Sequence, residues 1–340
     1  MASGISQSKD MAYVGEKPWH GLGSKLEAGA PIETWIEAAG MDWTIKTAPV
    51  RYDVPVDISS NKANPLIMQA PHIVDDKVVL YRDDDFSALG IVGDGFKIVQ
   101  PREVLEFFRD LTEKAGFQLE TAGCLFGGKR FWALAKTGDV AEIVPGDYVR
   151  PYLLLCTGAD GSLATTGKYV EERVVCNNTL SLALKEGSMQ HKISHRSTFN
   201  ADEMKRVLGI EFAREAFANS IKTSKHLAEK FVSKQTAQGI ALALLAPDNI
   251  RTLDHDEQVK TLNKVEESSG YKKIITLFDG EGRGATMDGV RDTAWGLLNA
   301  VTQYADHETR VKSDDHRMSR VIEGDADALK AKALKLCLAV

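Results

Sequence analysis

His191 and His195 stand four residues apart, a spacing that on a helix would present both to one zinc ion. Gly187-Ser188 precede them and no glutamate follows His191, so this stretch predicts a loop without metal. Asp306-His307-Glu308 could form a metal corner, although a histidine near a helix C-terminus is favoured by the helix dipole alone. Asp83, Asp84 and Asp85 lack a partner carboxylate at defined spacing and read as a solvated turn. Cys124, Cys156 and Cys176 alternate with apolar neighbours, as core cysteines do. Cys176, three residues from Arg173, is the candidate for an activated thiolate. No GxSxG turn is present to carry a serine nucleophile. The glycine-rich run 280–284 lacks the Lys-Ser/Thr of a phosphate loop. The expectation is no catalytic residue, no metal and no cofactor.

The cations offer a different chemistry. From Lys129 to Arg206 eleven Lys or Arg stand against nine Asp or Glu, whereas the whole chain runs 42 against 48, a net charge of −6. Lys129 and Arg130 fall at a hairpin tip, Arg150 and Lys168 at hairpin ends, and Arg173 near the start of an expected helix. Lys185, Lys192 and Arg196 follow that helix. Such a set could track a phosphate backbone, each contact adding salt-dependent affinity. Tyr152 and Tyr169, with Phe131, Trp132 and Tyr148, offer ring faces for unpaired bases. Asn177 and Asn178 could bond phosphate or base. The same residues also fit a plainer reading, with the aromatics in the core and the cations on a solvated rim. The acidic balance excludes a wholly basic coat but not a local groove.

The elements that must position these residues follow from pattern. Ile32–Ala39 predicts a short helix closed by Gly40, and 43–54 alternates as a strand. Pro101 opens a helix with Val104, Leu105, Phe108 and Leu111 on one stripe. Two hairpins follow, turning at Gly127-Gly128 and Asp160-Gly161. Residues 171–185 read as a helix. From Asn200, which resembles a capping-box residue, apolar residues recur at helical spacing, with further helices at 286–307 and 326–338. Hairpins dominate the first part, so the expected class is α+β. A largely antiparallel sheet with helices on one face fills 1–200, and a helical region fills 201–340 and completes the core or mediates assembly.

Four scattered cysteines without a CxxC pair fit a reducing compartment. The N-terminus lacks the apolar core of a signal peptide, and no apolar run reaches membrane-spanning length. The expected location is cytoplasmic, with no membrane partner.

Several motifs occur together: Pro-Trp-His-Gly-Leu-Gly at 18–23, Gly-Asp-Gly-Phe-Lys-Ile-Val-Gln-Pro at 93–101, Glu-Arg-Val-Val-Cys-Asn-Asn-Thr-Leu at 172–180 and Thr-Ala-Trp-Gly-Leu-Leu-Asn-Ala-Val-Thr-Gln-Tyr-Ala-Asp-His at 293–307. With them the chain resembles the phage/plasmid-like protein family of unknown function (domain of unknown function nine-three-two). The resemblance implies a mobile-element protein and supplies no activity. In element order and charge placement over 117–206, the chain is also similar to Rad fifty-two-like single-strand annealing proteins, without matching an annealase motif. The expectation is therefore a non-catalytic protein that binds or anneals single-stranded DNA in phage or plasmid recombination, as a homo-oligomer that could close into a ring. The rivals are an accessory that binds a host protein through 200–267 to counter a defence system, and a metal-dependent nucleic-acid enzyme using His191, His195 or 306–308.

Overall fold

The computed structural model describes residues 11–15, 23–58, 67–138, 140–175, 178–181, 183–184, 187–188, 190–208 and 210–340. Trp19, Cys176, Asn177 and Lys185 lie outside them. In chain order the strands and helices begin with β1 (Met11–Val14), β2 (Ser24–Leu26), α1 (Ile32–Ala38), β3 (Ile45–Asp57), β4 (Ile67–Arg82), β5 (Ala88–Gly93) and α2 (Pro101–Lys114). There follow β6 (Gln118–Leu125), β7 (Arg130–Lys136), β8 (Ala141–Val144), β9 (Asp147–Gly158), β10 (Thr165–Arg173), β11 (Asn178–Ser181), β12 (Ala183–Leu184), β13 (Gly187–Ser188) and β14 (Gln190–Ile193). The helical region is α3 (Ala201–Val207), α4 (Ile210–Glu229), α5 (Lys234–Leu245), α6 (His255–Glu267), α7 (Ser269–Thr276), α8 (Ala294–Gln303), α9 (Asp314–Glu323) and α10 (Asp325–Leu338). The class is α+β, as the hairpin pattern predicts.

The main sheet runs β11-β10-β9-β7-β6-β1-β2, with β14 also on β10 and β8 on β9. Its pairs are antiparallel except β1 with β2. Alternation assigns the two faces. Phe131, Ala133 and Ala135 of β7 and Leu153 and Leu155 of β9 share the helix face, where they join Trp35 of α1 and Val104, Leu105, Phe107 and Phe108 of α2 in one core. Burying each of these large side chains contributes about 1.5–3 kcal/mol. Gln100 fixes the start of α2 twice: its backbone N–H donates to Glu103 (2.7 Å), and its side-chain amide pairs with the backbone of Ile45. Further along the same face Val149 enters a second core with Leu227, Ile274, Trp295, Leu298 and Val301. The opposite, second face carries Trp132, Leu154 and Cys156, packed against Met318 of α9.

Two expected helices differ from the structure. The stretch 171–185 is not a helix: β10 continues to Arg173 and β11 begins at Asn178. Thr166 to Arg173 pair with β9 residue by residue, and that ladder outweighs local helix preference. The helix expected over 286–307 starts only at Ala294, capped by the Thr293 hydroxyl, because Gly289 and Asp292 hold left-handed backbone that a helix cannot pass through. At Asn200 the predicted cap is present, its side chain accepting from the N–H groups of Asp202 and Glu203.

β3 and β4 form a ribbon that outruns the core. Their register shifts at Pro49/Val50, and beyond it Val50, Tyr52, Val54 and Val56 face the same way as Val74, His72, Ala70 and Met68. Tyr52 and Met68 are each 52% exposed, and Tyr52 stacks on His72. Pro49, Pro55 and Pro71 cannot donate to a ladder, so they sit on the outward-facing side of its edges.

Candidate functional site

Strand parity decides where the sequence-predicted cations go. On the second face, Arg150, Tyr152, Leu154 and Cys156 of β9 stand opposite Glu172, Val170, Lys168 and Thr166 of β10. Lys136 of β7 stands opposite Tyr152. Glu120 is the extra residue where β6 slips against β7, between Leu119 and Thr121, and the slip turns it toward this row. The Tyr152 hydroxyl lies 2.8 Å from Glu120 Oε2 and 3.0 Å from Glu172 Oε2. Tyr152 is 1% exposed, and burial, followed by the two nearby carboxylates, pushes its ionisation well above the ordinary tyrosine range.

This row floors the cavity end of the sheet. The cavity has a volume of about 1110 Å³. Glu120, Lys136, Arg150 and Glu172 line it together with Met11, Leu119, Leu134, Ile32 and Trp35. His307, Arg317, Met318 and Val321 close it from the C-terminal side.

Lys168 and Arg173, predicted to contact phosphate, are buried. Lys168 Nζ lies 3.2 Å from Asp327 at the start of α10. Arg173 donates through Nε to Asp147 at 2.7 and 3.0 Å, and Asp147 also accepts from the Trp295 indole at 2.8 Å. Arg173 Nη1 reaches the carbonyl of Arg283. Both cations are ion-paired beneath the C-terminal helices, Lys168 to Asp327 of α10 and Arg173 to Asp147 of β9, which α8 reaches through Trp295, because β10 is an interior strand covered on both faces. The two predicted stacking residues are buried as well: Tyr169 donates to the Leu208 carbonyl, and Tyr152 lies under the cavity floor. No described ring face of either is open to a base.

Glu171 lies beside this clasp, fully buried, accepting from the Ser220 hydroxyl at 2.6 Å. Its Oε1 has no hydrogen-bond partner among the described residues and faces a water-sized void with Asn299 and Thr302. Burial pushes its carboxyl up to about 7.

The remaining cations gather at the opposite, turn end of the sheet. Lys129 and Arg130 are half-buried at the β6–β7 turn, where the Lys129 carbonyl accepts from Ala159 and Arg130 reaches the hydroxyls of Ser162 and Ser319. Lys192 of β14 and Arg196 are exposed. His195 between them contacts the carbonyls of Lys97 (2.9 Å) and Leu163 (3.0 Å) and stacks on Phe96, centroids 4.3 Å apart. Lys97, not singled out by the sequence, is exposed beside them.

The metal candidates are dispersed. His191 lies in β14 opposite Gly167, while His195 is in the following turn. Asp306 is buried against Lys330 at 2.9 Å. Asp83 holds Thr44 while Asp84 holds Arg82, so the acidic turn is occupied by its own partners. Among the described residues no three His, Cys, Asp or Glu converge as a metal site. Cys124 and Cys156 are buried free thiols. No described helix is long and apolar enough to cross a membrane.

The residues missed from sequence are Glu120, Lys136, Glu172 and Asp147. Lys136, Arg150 and Glu172 occupy one face of adjacent strands, which only the pairing register reveals. The signal within reach was the run Thr165-Thr166-x-x-Tyr169-Val170, which favours a strand over a helix.

A family model described as Domain of unknown function (DUF932) matches residues 88–323, more than two thirds of the chain. No curated protein and no solved structure matches it.

Proposed function

The chain belongs to the DUF932 family, which carries no assigned activity, and from that premise we propose that it is a non-catalytic protein binding or annealing single-stranded DNA of a phage or plasmid. One observation supports this reading: Lys97, Lys192 and Arg196 flank the Phe96–His195 stack in the chain at the turn end of the sheet, the end that also carries Lys129 and Arg130. Cations around a stacked ring pair suit a strand whose phosphates are neutralised while a base meets an aromatic edge. Compared with the sequence expectation, Arg150, Lys168, Arg173, Tyr152 and Tyr169 leave the binding set, Lys185 lies outside the described residues, and Lys97 enters it. Fluorescence titration with a labelled single strand, at low and high salt, tests the reading. Wild type binds at low salt and weakens as salt rises. A Lys192→Glu/Arg196→Glu variant binds at least about 30-fold more weakly and loses about two counterions from the salt slope. Equal binding by both proteins sinks the proposal.

Self-association has its own supporting observation, the exposed apolar face of the β3–β4 ribbon. Prolines blunt the ribbon edges, so contact between copies would use the face and not strand pairing. Tyr52→Ser/Met68→Ser is expected to lower the mass seen in light scattering. An unchanged mass rejects the ribbon as the contact.

A further inference from the structure

The cavity end supports an inference independent of nucleic acid. Its floor carries two cations, Lys136 and Arg150, and two carboxylates, Glu120 and Glu172. Neither cation has a carboxylate within ion-pairing distance among the described residues, although Glu172 stands directly across the strand from Arg150. The two carboxylates converge on the Tyr152 hydroxyl, which owns one proton and can donate to only one of them at a time. The floor therefore offers cation donors beside Glu120 as a carboxylate acceptor, and these four described side chains carry no net charge. At the rim Glu113 is ion-paired to Arg109 at 3.8 Å, Asp306 is neutralised by Lys330, and Arg317 donates to the Asp306 carbonyl.

The walls are apolar: Met11, Ile32, Leu119, Leu134 and Met318. An occupant must bring a negative group to Lys136 and Arg150 and N–H donors to Glu120, and must fill the apolar part. A simple anion would meet the two carboxylates, and a simple cation would meet the two cations. A bound charge is accommodated only when it is paired. We propose that this cavity binds a small zwitterion with an apolar body, an amino acid or the end of a short peptide, held by its carboxylate at Arg150 and Lys136 and by its ammonium at Glu120.

Matched probes separate the charges. L-leucine and L-phenylalanine carry both. N-acetyl-leucine lacks the ammonium and leucine amide lacks the carboxylate. Calorimetry and thermal unfolding on the full chain are expected to show binding and stabilisation by leucine or phenylalanine. Each blocked analogue should bind at least about ten-fold more weakly. Arg150→Gln should weaken leucine about ten-fold while leaving leucine amide unchanged. Should Arg150→Gln not fold, Lys136→Gln serves, since this half-buried lysine has no ion-pair partner among the described residues whose loss would disturb the fold. The proposal is overturned if neither amino acid binds, if N-acetyl-leucine binds as tightly as leucine, if adenosine monophosphate binds in their place, or if the folded variants bind leucine as wild type does.

Discussion

The two ends of the main sheet are built from the same strands and differ in kind. At the turn end Lys97, Lys192 and Arg196 point into solvent around a stacked aromatic pair. At the cavity end Lys136 and Arg150 stand among an equal number of carboxylates, half-enclosed by apolar walls. An exposed cluster of one sign attracts a polyanion over distance and is sensitive to salt. An enclosed cluster of mixed sign selects by geometry, and salt affects it less. Charge composition, summed over both ends, hides this contrast; position along the strand creates it.

The largest expected effect breaks both ends together, because both hang from β10. Arg173→Ala leaves Asp147 buried without its cation and is expected to cost about 3–5 kcal/mol of stability, read from urea unfolding. A loss under about 1 kcal/mol would mean that the clasp does not hold the sheet to α8.

Next comes pH. Glu171 titrates near 7 when folded, against 4.5 as its ordinary value. The folded state therefore holds this proton more tightly than the unfolded one. The stability it contributes is present below about pH 4.5 and is lost as pH rises through about 7. Glu171→Gln removes the titration, so the variant should gain on wild type between acid and alkaline pH by on the order of 3 kcal/mol. Parallel stability profiles for the two proteins would contradict the burial argument.

A double dissociation sharpens the comparison at about 2 kcal/mol. Lys192→Glu/Arg196→Glu should weaken single-strand binding by about 30-fold and leave leucine binding intact, and Lys136→Gln/Arg150→Gln should do the reverse. Variants that impair both ligands equally would merge the two ends into one site. The smallest effect is Phe96→Ala, which removes the ring under His195 and should reduce strand affinity by about 1 kcal/mol, measured in the same titration.

Much of the fold was legible because local chemistry and tertiary demand agree. Pro101 and the Val104-Leu105-Phe108 stripe specify α2, and Gly127-Gly128 specifies the β6–β7 turn, where a side chain at Gly128 would collide with Trp43. The strand β10 was misread because Glu171 to Arg173 carries three charged residues, an unusual content for an interior strand. Those charges are tolerated through partners distant in sequence: Tyr152 for Glu172, Ser220 for Glu171, Asp147 and Trp295 for Arg173. Sequence near 171–173 contains no trace of these partners. The cavity was illegible for the related reason that register, and the slip at Glu120, align its floor. Lys129 and Arg130 were legible because a hairpin tip is a local feature, whereas Lys192 and Arg196 were expected to follow a helix that is absent and owe their place to the pairing of β14 with β10.

The register shift at Pro49/Val50 divides one hairpin into two stabilities. Before it, Ile45 lies in the core beside Leu80, and opening those pairs requires disrupting α2. Beyond it, each backbone bond is supported by a single exposed neighbour strand. The amide protons of Arg51 to Val54 and of Val56 should therefore exchange with solvent through local fraying, while that of Ile45 waits for global unfolding. Any partner that seats on the ribbon would erase this step, so the exchange profile along β3 reports occupancy of that face without knowledge of the occupant.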